Sequence, residues 1–232
     1  MTRSTGIRTL LAWSSGKDSA WALHVLGQRS DVSVAGLLTT MNQAANRVAM
    51  HAVRDELVRA QADALGLPLV TVPIPSPCSN DEYERAMETA MRTAKENGIA
   101  AVAFGDLYLE DVRRYREERL SATGIAPLFP LWGRDTRELS REMVRSGLRA
   151  CITCVDPSRL DRSFAGRVYD EQFLGDLPDG VDPCGENGEF HSFAFDGPMF
   201  AAAIPIAGGE VVERDGFVFA DVTLRAPATS PT

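Results

Sequence analysis

The chain has 232 residues, 44% of them hydrophobic, and a formal charge of -8 at pH 7, which suits one large domain or a large domain with a smaller companion. No apolar run approaches the roughly 20 residues that span a bilayer, and residues 1–8 are polar, so no membrane span or secretion signal is expected and the cytoplasm is the expected compartment. The acidic balance argues against bulk nucleic acid as a partner, because surfaces that hold it cluster Lys and Arg against phosphate.

In chain order, the apolar run Arg8-Thr9-Leu10-Leu11-Ala12 leads through Trp13-Ser14-Ser15-Gly16-Lys17-Asp18-Ser19 into a helical pattern that stops near Gly27. A strand that opens straight into a helix leaves the first N–H groups of that helix unpaired and pointed at any anion placed there. Ser14, Ser15 and Ser19 add hydroxyls, Gly16 permits close approach and Lys17 adds a cation, so residues 14–19 read as a pyrophosphate cradle. The ATPase P-loop spacing G-x-x-x-x-G-K-[ST] does not fit, because Leu11 stands at its first glycine and Asp18 follows the lysine. The plain alternative is a serine-rich capping turn without a ligand.

Residues 32–39 read as a second buried strand. A helix over 51–65 follows, with Val53, Leu57, Ala60 and Ala64 on one face and Gly66-Leu67-Pro68 as its stop. Residues 69–74 are a third strand, and Ser79 with Glu82 forms a capping box ahead of a helix that runs to Asn97-Gly98. The fourth strand, 99–104, runs into Gly105-Asp106 and a charged helix near 111–120. Four strand-then-helix units predict an α/β fold, a doubly wound parallel sheet with helices on both faces. Ligands in such sheets sit beyond the carboxyl ends of the strands, which places Thr39, Thr40, Gly105 and Asp106 near the nucleotide. His51, at a helix start, is a further candidate there, whereas His24 is assigned to packing.

The pattern changes after about Gly124. Residues 127–133 read as an apolar linker, and a helix from Arg134 carries Leu139, Met143 and Val144 inward and stops at Gly147. A cysteine-bearing strand over 148–155, a helix or turn region over 157–174 and a Gly/Pro/Asp-rich loop over 175–188 come next. Arg214-Asp215-Gly216 between two β-branched and aromatic runs is a hairpin signal. The expected division is a nucleotide-binding domain over 1–125, a smaller α+β substrate domain over 126–225 and a disordered tail over 226–232. Four cysteines, Cys78, Cys151, Cys154 and Cys184, are too few and scattered for a disulfide framework. Cys151 and Cys154 have C-x-x-C spacing, but on a strand residues three apart face opposite sides, so packed thiols are favoured over a metal or redox site.

Asp182-Pro183-Cys184-Gly185-Glu186-Asn187-Gly188-Glu189-Phe190-His191-Ser192-Phe193 packs carboxylates and an imidazole into a tight loop. Held together, Glu186, Glu189 and His191 are suited to bind Mg²⁺, orient an amine or take a proton. A solvated acidic turn before a strand is the equal-weight alternative from physics alone.

Residues 14–19 resemble the S-G-G-x-D-S loop of the PP-loop, or N-type, ATP pyrophosphatases, with Ser15 where the first glycine is usual. Together with Phe104-Gly105-Asp106, Pro130-Leu131-Trp132 and above all Gly185-Glu186-Asn187-Gly188-Glu189-Phe190-His191, the chain is similar to the diphthine–ammonia ligase-like family over residues 9–200. The stretches Thr39-Thr40-Met41-Asn42 and 105–118 look like its bacterial branch, which leaves the acceptor carboxylate open. The resemblance implies a HUP-type sheet and an AMP-forming carbon–nitrogen ligase that adenylates a carboxylate with ATP and amidates it with ammonia or an amine. It implies catalytic roles for Lys17, Asp18, Glu186, Glu189 and His191. Ser14, Ser15, Gly16, Lys17, Asp18, Ser19, Thr39, Thr40, His51, Gly105 and Asp106 are implied at ATP, with Mg²⁺ on Asp18. The expected partners are ATP, a small-molecule or protein carboxylate and ammonia, with a homodimer as the assembly to test. Alternatives are a non-catalytic ATP sensor and a PP-loop RNA thiolase.

Overall fold

The computed structural model describes residues 6–42, 47–48 and 53–225. His51 and the 226–232 tail lie outside the described residues. The first sheet is built from β1 (Ile7–Ala12), β2 (Val32–Asn42), β4 (Leu69–Ile74), β5 (Ala101–Ala103) and β6 (Ala126–Leu128), with the two-residue β3 (Arg47–Val48) antiparallel to the end of β2. The five longer strands are all parallel in the spatial order β4-β2-β1-β5-β6. This is the expected doubly wound, HUP-like α/β sheet.

The near-continuous apolar strands are explained by burial on both faces. Leu10, Leu38 and Val102 pack with Met91, Ala94 and Leu120 of α3 (Asn80–Glu96) and α4 (Glu110–Ser121). Their neighbours Leu11, Leu37 and Ala103 point the other way, toward Trp21 and Leu57 of α1 (Lys17–Gly27) and α2 (Asp55–Leu65). Each fully buried leucine contributes about 1.5–3 kcal/mol. The reversal of strand order between β1 and β5 sends their outgoing connections in opposite directions and opens a crevice at their carboxyl ends.

Local sequence explains several ends. Ser79 caps α3 with the full reciprocal box to Glu82, and Gly66 closes α2 in the left-handed region. Three readings from the sequence change. The helix expected over 51–65 begins at Asp55, capped by Arg54. The fourth strand contracts to Ala101–Ala103, and Pro127 and Leu128, read as linker, form β6 beside Val102 and Ala103. Proline is tolerated there because β6 is an edge strand, where its missing N–H costs no ladder bond.

The C-terminal region forms a separate antiparallel sheet in the order β8-β7-β10-β9, from β7 (Arg149–Val155), β8 (Phe190–Asp196), β9 (Ile206–Arg214) and β10 (Phe217–Leu224). α5 (Thr136–Arg145) precedes it, with Asp135 accepting from the Arg137 and Glu138 N–H groups. The 157–174 region resolves into a short 3-10 turn, Arg162–Phe164, and the start of α6 (Glu171–Asp176). No helix among the described residues is long and apolar enough to cross a membrane.

Candidate active site

The loop after β1 is held from behind by the second sheet. Trp13 is buried and donates its indole N–H to Gln61 Oε1 at 2.8 Å, and the Gln61 amide in turn donates to the carbonyls of Ser15 (2.9 Å) and Ala194 (2.6 Å). The Ala194 N–H donates to the same Ser15 carbonyl at 2.9 Å. Lys17 N–H donates to Ser192 Oγ at 3.2 Å, so β8 binds the loop at two points. A Cβ on Gly16 would lie 3.2 Å from the Ser192 carbonyl oxygen, which explains the glycine. A Cβ on Gly105 would lie 3.0–3.1 Å from backbone atoms of Asp18 and Ser19, so the end of β5 meets the loop only because that residue is glycine.

The three loop serines divide their work. Ser14 Oγ accepts from the Gly16 N–H at 3.3 Å and donates to Ser19 Oγ at 3.2 Å, and Ser19 Oγ donates to the Gly16 carbonyl at 2.9 Å. Ser15 corrects the expectation of a third ligand hydroxyl. It is fully buried at φ 69°, its Oγ has no partner, and it does not line the crevice. A glycine at that position would carry neither the left-handed strain nor the unsatisfied hydroxyl.

Lys17 is only 2% exposed, and its ammonium lies 2.9 and 2.8 Å from the two oxygens of Asp18. It also donates to the Cys184 carbonyl and sits 5.5 and 5.4 Å from the ring centres of Tyr169 and Phe190. Burial disfavours both charges of the pair. Asp18 and the other acidic neighbours more than restore the lysine, whose pKa is raised, whereas desolvation outweighs Lys17 at Asp18 and holds that carboxyl above its ordinary range.

Across the crevice, the 182–189 loop is tied to the segment after β5. Leu107 N–H donates to Glu186 Oε1 at 2.8 Å and the Tyr108 hydroxyl donates to Asp182 Oδ2 at 3.0 Å. Asp182 also accepts from the N–H groups of Cys184 and Glu186. Burial raises the Glu186 carboxyl to about 7, with Asp18 and Asp106 adding to the rise and the Leu107 N–H opposing it. Glu186 therefore faces the phosphate-type loop as a carboxylate that changes charge near neutrality.

Ser14, Lys17, Asp18, Gly105, Cys184 and Glu186 border one cavity of about 890 Å³. Models of the diphthamide synthase N-terminal and C-terminal domains match residues 7–126 and 135–221. The chain belongs to the diphthamide synthase family. A diphthine–ammonia ligase of Danio rerio is 32% identical over 239 residues, covering 90% of each chain. The diphthine–ammonia ligases of Homo sapiens and Bos taurus are each 29% identical over 231 residues, covering 90% of this chain and 86% of theirs. The protein is thus an ATP-dependent carbon–nitrogen ligase of the diphthine–ammonia ligase type, and the resemblance carried by the two loops is correct.

Within this ligase fold, the residues singled out from sequence do not all meet. Ser14, Gly16, Lys17, Asp18, Ser19, Thr39, Thr40, Gly105, Asp106, Glu186 and His191 border the cavity. Alternation along β2 turns Thr40 to the Leu38 face and Thr39 toward Leu37 and Met41, where its hydroxyl is buried without a partner. Asp106 is engaged by the Arg116 guanidinium at 2.5 and 3.1 Å. His191 is held below its ordinary pKa by burial and by Lys17, both of which favour the neutral imidazole. Glu189 is the clear correction. It is 3% exposed, does not border the cavity, and accepts from the Asp182 N–H (3.2 Å), the Asn187 N–H (3.0 Å) and the Asn187 side-chain amide (3.1 Å). Its carboxylate shapes the loop that presents Glu186.

Sequence reasoning missed Ser192, Gln61 and Asp182 as supports of the site. Ser192 and Asp182 stood inside the segment already singled out, but a buried glutamine on α2 carried no local signal. Cys151 and Cys154 are buried on β7, and desolvation raises both thiols to about 11. Cys151 donates weakly to the Gly166 carbonyl at 3.7 Å.

Proposed function

We infer that this ligase joins ATP to a carboxylate at the α-phosphorus and then exchanges AMP for ammonia. The observation that carries the reading is the convergence, on one cavity, of the amide-bearing start of α1, the Lys17–Asp18 pair and Glu186. A carboxylate oxygen attacks the α-phosphorus, the bond from that phosphorus to the bridging oxygen breaks, and pyrophosphate leaves with the developing charge. Backbone N–H groups at the helix start and the buried Lys17 ammonium are suited to that charge, each such donor being worth about 3 kcal/mol in a dry site. Ammonia then attacks the acyl carbon, AMP departs with the former carboxylate oxygen, and Glu186 as carboxylate accepts the proton released from nitrogen. Its raised pKa suits a base working near pH 7.

Mg²⁺ fits the donors present. Among the described residues no three His, Cys, Asp or Glu side chains converge as a protein-built cage. An ion that takes most of its ligands from phosphate and water needs only one or two carboxylates. Asp18, at the loop mouth, is the residue that would hold it, and the ion would supply charge neutralisation on the phosphates. The names of the relatives make diphthine the first acceptor to test and ammonia the first nitrogen donor.

The test is turnover with acceptor carboxylate labelled with heavy oxygen. One labelled oxygen must appear in AMP, with pyrophosphate as co-product. Formation of ADP and orthophosphate, or AMP free of label, would refute the mechanism.

A further inference from the structure

We propose that Tyr108 is a positioning residue for amide formation, a role that rests on Glu186 serving as the base of that step. Tyr108 does not border the cavity, so it acts through other groups. Its hydroxyl donates to Asp182 Oδ2 at 3.0 Å, and the same oxygen accepts the Glu186 N–H at 3.2 Å. The preceding residue, Leu107, donates its own N–H to Glu186 Oε1 at 2.8 Å. Two consecutive residues therefore hold Glu186 at both ends, its main chain through Asp182 and its carboxylate directly.

The two sides of this clamp have different supports. Asp182 accepts from the N–H groups of Cys184 and Glu186, and Glu189 accepts from those of Asp182 and Asn187, all within one loop. Those bonds fix the shape of the loop. The bonds from Leu107 and Tyr108 cross the crevice and fix its Glu186 end against the nucleotide-binding half, while Lys17 meets the same loop at the Cys184 carbonyl. The segment that reaches across is itself anchored. Arg116 of α4 engages both oxygens of Asp106, the Leu107 side chain is fully buried, and the Leu107 carbonyl accepts from the Gly133 N–H at 2.8 Å. This gives a task to the Pro130-Leu131-Trp132 turn, in which Leu131 is fully buried and the Trp132 ring lies 4.8 Å from the Arg113 guanidinium.

A phenol hydroxyl suits this post. Desolvation, and then the Asp182 carboxylate, raise its pKa well above the ordinary value, so Tyr108 stays the donor of the pair. The residue is 37% exposed, so phenylalanine in its place removes one hydrogen bond and leaves the core intact. With Oε1 of Glu186 held on Leu107, the second oxygen is left to take the proton released from nitrogen. Loosening that hold lets the carboxylate swing, and a misplacement of about 1 Å can cost about 100-fold in rate.

The experiment compares Tyr108→Phe, Glu186→Gln and the double variant with the parent chain. With diphthine as acceptor and ammonium as donor, Tyr108→Phe is expected to form amide about 10- to 100-fold more slowly. The KM for ATP and the exchange of labelled pyrophosphate into ATP, which reports adenylation alone, are expected to stay at parent values. Added to Glu186→Gln, the same substitution is expected to cost nothing further, because it acts through the group already removed. In the ligand-free protein the Leu107 amide is expected to exchange its hydrogen about tenfold faster in Tyr108→Phe. The Asp182 and Asn187 amides, held by Glu189 inside the loop, keep their protection. An unchanged Leu107 amide, an equal loss of pyrophosphate exchange, or a full additional loss in the double variant overturns the proposal. Glu186→Gln working at the parent rate would overturn the base reading and this proposal with it. An impaired Glu186→Gln beside a fully active Tyr108→Phe overturns this proposal alone.

Discussion

Replacing Lys17 by methionine keeps the length of the buried stem and removes only the cation. The parent ammonium contacts both Asp18 oxygens and the Cys184 carbonyl, and the Asp18 side chain is 27% exposed. Removing one partner of a fully buried pair costs about 3–5 kcal/mol, because the other charge is left without compensation. The partial exposure of Asp18 lowers the expectation to about 2–3 kcal/mol, since water reaches one side of the carboxylate. The double variant Lys17→Met/Asp18→Asn removes the stranded charge and should recover at least about half of that loss. Its sign with pH is fixed. Without the lysine the folded Asp18 pKa rises further above its unfolded value near 3.8, so the single variant is least impaired in acid and loses stability as pH rises from there. Urea unfolding followed by circular dichroism measures both. AMP formation should be absent from both proteins, so stability separates packing from catalysis. A single variant within about 1 kcal/mol of the parent, or a double variant no more stable than the single, would refute the account of this pair.

Ser15→Gly should stabilise the fold by about 1 kcal/mol or more. It relieves a left-handed φ of 69° and deletes a buried unsatisfied hydroxyl, against the larger chain entropy of glycine; a loss in thermal unfolding would contradict this. Gly105→Ala should raise the KM for ATP and cost about 1–3 kcal/mol, because the new methyl meets the backbone of Asp18 and Ser19. Unchanged ATP kinetics would count against the close approach. Because the folded Glu186 carboxyl titrates near 7 rather than 4.5, the native state binds the extra proton, so the parent should lose stability relative to Glu186→Gln as pH rises from about 4.5 to 7. With free ammonia held constant across the series, the rate of amide formation should rise through the same window in the parent alone, and a pH–rate profile unchanged by the substitution would remove Glu186 as base. Glu189→Gln should lower stability by about 1–3 kcal/mol, since three donors lose a charged acceptor. A normal unfolding curve would show that the loop does not depend on it.

Much of the site was legible because it is local. The run from Leu10 to Ser19 encodes strand, turn and helix start within ten residues, and the capping box at Ser79 and Glu82 is complete in four. Boundaries were less legible where tertiary contact overrides propensity. Pro127 and Leu128 look like linker in sequence and become β6 only because Val102 and Ala103 offer a paired edge. Glu189 and Glu186 are two acids three residues apart in a glycine loop, and nothing local distinguishes them. The fold turns one onto the Asp182 and Asn187 amides and the other onto the cavity.

By itself the sequence determined the first four strand-then-helix units and the two loops that carry the family's chemistry, because hydrophobic period, capping and glycine placement act over a few residues. The tertiary structure alone decided which side chains meet. Gln61 and Ser192 reach the phosphate-type loop from positions 46 and 175 residues away in the chain. Contacts at that separation exist only once both sheets have packed, when burial sets the charge of Glu186 and the pairing of Lys17 with Asp18.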